Sequence, residues 1–150
     1  MSAEGQVLIG RLGLAALLAE GWHPRTVGGL TMGADPVAYA IAAASWSGGQ
    51  PIDAFSVRKE AKDHGTGRQI EGNFQAGDPV VVIEDVITSG GSAERAISAV
   101  VNAGGQVLGV LAVVDREQGG RERLVKRGYS VVALTTTSQL GLQPSGAGQS

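Results

Sequence analysis

The run VVVIEDVITSGGS, residues 80–92, decides how this chain folds. It opens on consecutive apolar residues, mostly β-branched, and resumes with Val86 and Ile87 after two acids. A strand with one solvated face alternates apolar and polar residues. An unbroken apolar run is the mark of a strand covered on both faces, as in parallel sheets. The chain then makes a small hydroxyl- and Gly-rich turn, Thr88, Ser89, Gly90, Gly91 and Ser92, into a helix pattern over 92–103 that Gly104-Gly105 ends. Strand, tight turn and helix form half of a parallel crossover unit.

The same alternation recurs on both sides of this run. A second apolar strand follows at 106–114, a short basic helix at 120–127, and a last strand at 130–135. Upstream, 53–57 reads as a strand, and 26–29 as a short strand running into the turn GGLTMGADP. A helix rich in Ala follows over 36–46, with Pro36 in its first turn and Asp35 as expected N-cap. Residues 6–19 form an apolar helix ending near Gly21. Trp22 and Trp46 are expected to be packing residues. The pattern predicts an α/β fold with a mainly parallel sheet flanked by helices. It is a single domain over 1–150, with 143–150 as a disordered tail.

Composition narrows the function classes. The 150 residues are 43% hydrophobic and 17% charged, which fits one globular domain. A net charge of −2 argues against a nucleic-acid binder, which should be basic. With no Cys, a thiolate metal site, a Cys nucleophile and disulfides are excluded. No apolar run approaches the roughly 18 residues of a membrane span. No membrane association is therefore expected, and a cytoplasmic location is.

The residues of 80–92 carry a specific chemistry. Backbone N–H groups at a turn into a helix, with the positive end of that helix, favour a phosphate. Gly90 and Gly91 let the backbone approach, and Thr88, Ser89 and Ser92 add hydroxyl donors. Glu84 and Asp85 would repel a phosphate in contact but suit the vicinal hydroxyls of a ribose. Together they describe a ribose-5-phosphate site. By composition alone the stretch also fits an ordinary strand–turn–helix with a solvated acid pair. The Lys of a nucleotide-triphosphate P-loop is missing.

Residues 58–76 read as a long mobile loop or hairpin arm. In its first half Arg58, Lys59, Lys62 and Arg68 outnumber Glu60 and Asp63. Dense cations beside glycines suit a lid that closes over a diphosphate, and equally a solvated surface loop.

The order apolar strand, Glu-Asp, two apolar residues, Thr-Ser-Gly-Gly-Ser resembles the 5-phosphoribosyl-1-diphosphate (PRPP) signature of the type I phosphoribosyltransferases. The string VRKEAKDHGTG, 57–67, resembles the catalytic loop of the orotate phosphoribosyltransferases. The turn at 28–36 is similar to the family's diphosphate-contacting turn, and VVDREQGG, 113–120, to the strand end where an Arg meets the orotate carboxylate. The resemblance covers about residues 7–140.

It implies the type I phosphoribosyltransferase fold and transfer of the phosphoribosyl group from PRPP to orotate. Catalysis would fall to Lys62, His64, Lys59 and Arg58. PRPP would be held by Glu84, Asp85, Thr88, Ser89, Gly90, Gly91 and Ser92, with Thr31 and Met32 contributing mainly backbone, since the Lys some relatives carry in that turn is missing. Thr88 and Arg116 would hold orotate. Mg²⁺ would be bound mostly through substrate and water. A homodimer sharing the loop across subunits is implied too. Another acceptor base, or a PRPP-sensing relative without catalysis, remains open. Relatives carry more chain ahead of this point, part of a hood over the base. That hood is expected to be missing, to precede a truncated start, or to come from another chain.

Overall fold

A computed structural model describes residues 1–60 and 67–143. The elements run α1 (Ala3–Ala19), β1 (Thr26–Leu30), α2 (Ala34–Ser47), β2 (Asp53–Val57), β3 (Ile70–Gly72), β4 (Pro79–Ile87), α3 (Gly91–Asn102), β5 (Gln106–Asp115), α4 (Gly120–Lys126) and β6 (Val131–Thr136). The strands form one six-stranded sheet in the order β3-β2-β1-β4-β5-β6. All neighbouring pairs are parallel except β2 with β3, an antiparallel edge hairpin that matches Phe55 to Gly72 and Val57 to Ile70.

β4 lies inside the sheet, and its apolar run divides between two cores. Val80 and Val82 belong to the cluster under α3 and α4, with Phe55, Ala96, Val100, Val110 and Leu124. Val81 and Ile83 belong to the cluster under α1 and α2, with Leu17, Val27, Ile41 and Leu111. All four are fully buried. This is the period-two geometry of a strand with apolar neighbours on both sides.

Several boundaries differ from the sequence expectations. α1 begins three residues earlier than 6, because Ser2 caps it: the Ser2 hydroxyl oxygen accepts from the Gly5 N–H at 3.0 Å. A polar cap ahead of the apolar run extends the helix. Asp35 is not the N-cap of α2. Gly33 occupies that position, and Asp35 lies inside the first turn, with its carboxylate directed at other partners. Trp22 packs as expected: a Cβ on Gly109 would lie 2.3 Å from its ring. Trp46 does not, being 76% exposed. The expected tail falls almost wholly outside the described residues.

Candidate active site

In a doubly wound sheet, ligands bind beyond the carboxyl ends of the strands where the strand order reverses. Here that point lies between β1 and β4, which are adjacent although three elements separate them in sequence. The turn after β1 carries Thr31 and Met32, and the turn after β4 carries residues 88–92. Both expected PRPP segments therefore emerge side by side at one edge of the sheet.

The two acids of β4 diverge. Asp85 is exposed and reaches the turn after β1: a Cβ on Gly33 would lie 2.7 Å from an Asp85 carboxylate oxygen. Its Oδ1 also accepts from the Val86 N–H at 2.8 Å. Glu84 is buried, on the parity of Val82 and so on the α3 face of the sheet. Burial first, and the neighbouring Asp85 charge second, push its carboxyl up to about 7, against the pull of Arg95. Glu84 thus holds a proton far more readily than an ordinary carboxylate, while Asp85 faces the crevice.

The turn after β4 has the form expected of an anion cradle. Gly90 is left-handed (φ 83°), and no side chain caps the helix that follows. The first amides of an α-helix have no intrahelical acceptor. Those of Gly91 and Ser92 are therefore available at the positive end of α3. Thr88 and Ser92 are half-buried and Ser89 is exposed.

The turn after β1 is braced by its neighbours. The Thr31 hydroxyl donates to Asp35 Oδ2 at 2.6 Å, and the Ser56 hydroxyl donates to Asp35 Oδ1 at 2.7 Å. The hydroxyls of Tyr39 and Ser56 share a hydrogen bond at 3.1 Å. The Thr31–Met32 peptide is cis, and the Met32 side chain is 79% exposed.

Arg116 follows β5, which pairs with β4 up to Ile87 and Asp115. Its N–H donates to the Ile87 carbonyl at 3.0 Å, so it begins beside the cradle. Glu117, the next residue, is left-handed (φ 57°). Its carboxylate accepts from the Thr137 hydroxyl and from the Ser138 N–H and hydroxyl, at 2.8, 2.8 and 2.6 Å. Those bonds hold its carboxyl below the usual range.

Arg58 sits at the base of the edge hairpin. It pairs with Glu71 at 3.0 Å. Its N–H donates to the Gln69 carbonyl at 2.8 Å, and the Gln69 side-chain amide donates to its carbonyl at 3.0 Å. Lys59 is exposed just beyond it. Lys62 and His64 lie outside the described residues. Sequence reasoning missed Asp35, Ser56 and Glu117 as site-shaping groups. A Ser within a strand, an acid in the first turn of a helix and an acid in a loop carry no pattern that separates them from capping or solvated residues.

The crevice is open, with Asp85, Ser89 and Met32 exposed along it, which suits a site completed by a closing loop. Two hollows lie away from these strand ends. One of about 480 Å³ lies between α1 and α2, and another of about 660 Å³ lies between the hairpin and α3. Neither includes a residue of the cradle or of the turn after β1.

Comparison with known proteins agrees with this arrangement. The phosphoribosyl transferase domain family matches residues 9–141. The orotate phosphoribosyltransferase of Aquifex aeolicus is 50% identical over 137 residues, 91% of this chain and 74% of its own length. That of Mycobacterium avium is 51% identical over 139 residues, 93% of this chain and 75% of its own. The crystal structure of Mycobacterium tuberculosis orotate phosphoribosyltransferase in complex with PRPP superposes with a TM-score of 0.80 at 45% identity. It covers 91% of this chain and 75% of that one. Its complex with inorganic phosphate gives a TM-score of 0.84 at 44% identity, covering 95% and 76%. On these grounds the chain belongs to the orotate phosphoribosyltransferases, within the phosphoribosyl transferase domain family.

Proposed function

We propose that the chain transfers the 5-phosphoribosyl group from PRPP to orotate, giving orotidine 5′-phosphate and diphosphate in pyrimidine biosynthesis. The observation that carries this is the convergence of three strand ends. The ends of β1, β4 and β5 bring the Thr31–Met32 turn, the 88–92 cradle and Arg116 to one edge of the sheet.

The ribose 5-phosphate sits on the amides and hydroxyls of residues 88–92, and the exposed Asp85 carboxylate accepts from ribose hydroxyls. The diphosphate lies toward Thr31 and Met32. Arg116, with Thr88, holds the orotate carboxylate, which a guanidinium can meet with two parallel bonds. As the C1–O bond breaks, its electron pair leaves with the diphosphate, and the base nitrogen bonds to C1 while its proton is released to water. Lys59, Lys62, His64 and Arg58 stabilise the charge gathering on the leaving group.

Mg²⁺ fits as a passenger of the substrate. Among the described residues no group of three or more His, Cys, Asp or Glu could hold a metal. The open crevice leaves room for a diphosphate carrying its own cation, which would neutralise part of that charge. A homodimer that shares the basic loop is proposed with it. The half-exposed Val7, Leu8, Leu12 and Leu18 of α1 offer apolar surface for such contacts. No helix among the described residues is long and apolar enough to cross a membrane. The proposed setting is the cytoplasm, where a chain without Cys needs no disulfides.

An acceptor panel tests the reading. With PRPP and Mg²⁺, orotate should give its nucleotide while hypoxanthine and uracil give none. Turnover of another base alone would move the assignment to that base, and PRPP binding without turnover would point to a sensor.

A further inference from the structure

The stretch 113–120 ends in Gly119-Gly120, to which no role has been given so far. Gly120 is buried, opens α4 and presses on the phosphate cradle. A Cβ there would lie 2.4 Å from the Thr88 carbonyl oxygen, 2.6 Å from an Ile87 methyl carbon and 2.7 Å from the Gly90 nitrogen. The contact is reciprocal, since a Cβ on Gly90 would lie 3.0 Å from the Gly120 carbonyl oxygen. Two of the three obstructing atoms at Gly120 are main chain and cannot rotate aside as a side-chain tip can.

Two further ties fasten the same segments. Arg116 N–H donates to Ile87 O just before the cradle. Just after it, Glu94 of α3 takes both Arg123 of α4 and Arg127, which caps the C-terminus of α4. Arg123 Nε donates to Glu94 Oε1 at 2.7 Å, and Arg127 Nε lies 3.0 Å from the same oxygen. The acceptor arm, 116–120, therefore meets the cradle segment at its start and at the turn, and the helices that follow the two are tied to each other.

We propose that Gly120 is a positioning residue: its lack of a side chain lets the acceptor arm seat directly on the Thr88–Gly90 main chain, so one backbone contact sets both half-sites. The inference rests on the function proposed above. A methyl group at 120 must displace either the arm or the turn. Displacing the turn swings the Gly90 N–H, and displacing the arm moves Arg116. Gly119 supplies the control. It is left-handed (φ 86°) but a Cβ there meets nothing within 4 Å among the described residues. Gly119→Ala strains the start of α4 without touching the cradle.

The test is calorimetry with Mg²⁺ and PRPP on the parent, Gly120→Ala and Gly119→Ala, with thermal midpoints recorded beside it. Gly120→Ala should weaken PRPP binding at least about tenfold, while Gly119→Ala, with a comparable midpoint loss, stays within about twofold of the parent. Equal affinity in Gly120→Ala and the parent would overturn the inference. So would an equal loss in both variants, which would indicate mere loosening of α4. Should Gly120→Ala fail to fold, ¹⁵N spectra of the parent decide: ribose 5-phosphate must shift the Gly120 amide and orotate must shift the Gly90 amide. Unmoved amides overturn the inference. A parent that does not bind PRPP removes the proposed function, and this inference with it. A parent that binds, with Gly120→Ala unaffected, removes the inference alone.

Discussion

Asp35 accepts one hydroxyl from the turn after β1 and another from β2, so a single carboxylate joins the turn proposed to meet the diphosphate to the strand that leads into the basic loop. Asp35→Ala leaves two hydroxyls without that acceptor and frees the turn. It should raise the KM for PRPP by about tenfold, about 1.4 kcal/mol, with a smaller effect on that for orotate, measured in initial-rate kinetics. Equal effects on both substrates would contradict the assignment.

Glu84 offers a pH test on the same scale. Its folded pKa, about 7, lies above the unfolded value of 4.5. The folded chain therefore holds more protons in that window, and stability falls as pH rises through it. Above about pH 7 the ionised group costs up to about 3 kcal/mol. Glu84→Gln removes the titration. Its unfolding free energy relative to the parent should therefore be higher at about pH 8 than at about pH 5, by urea melts. A pH-independent difference would refute the burial argument. Neither role was legible in the sequence. Asp35 looked like a cap because it precedes Pro36, and Glu84 looked like the twin of Asp85. Only strand parity sends one acid to the crevice and the other under α3.

At the scale of elements, the strand and turn of residues 79–90 were legible because two signals coincide there. A continuous apolar run marks a strand covered on both faces, and paired glycines mark a tight exit into a helix. The edge hairpin was half legible. Its polar, Gly-bearing sequence announced an arm, but the short β3 has no apolar alternation of its own and is held by pairing to β2. Arg58 shows the limit of reading cations from a charge count, since Glu71 partners it across the hairpin. Among the basic residues of the loop, Lys62 is assigned the largest catalytic effect. Lys62→Ala should lower kcat at least about a hundredfold, about 2.7 kcal/mol. Turnover within about threefold of the parent would remove the loop from the mechanism.

For the molecule as a whole, the sheet holds the site in register by separating two apolar cores. Phe55 is 1% exposed in the core beneath α3 and meets Phe74 at 5.6 Å between ring centroids. Phe55→Ala should cost about 3 to 5 kcal/mol of stability, read from the urea midpoint. The residual folded fraction should keep its affinity for PRPP, because the cavity lies away from the strand ends. The layered architecture followed from the alternation of elements. The strand order did not, because it depends on which crossovers bury the most apolar surface. That order brings the ends of β1 and β4 together, and with them the two halves of the proposed PRPP site. PRPP is proposed to bind across those ends, with Asp85 on its ribose. Calorimetry of the parent and Asp85→Asn with PRPP and Mg²⁺ tests it most directly. The parent should bind saturably, and the variant at least about tenfold more weakly. No binding by the parent, or equal affinity in both, would contradict it.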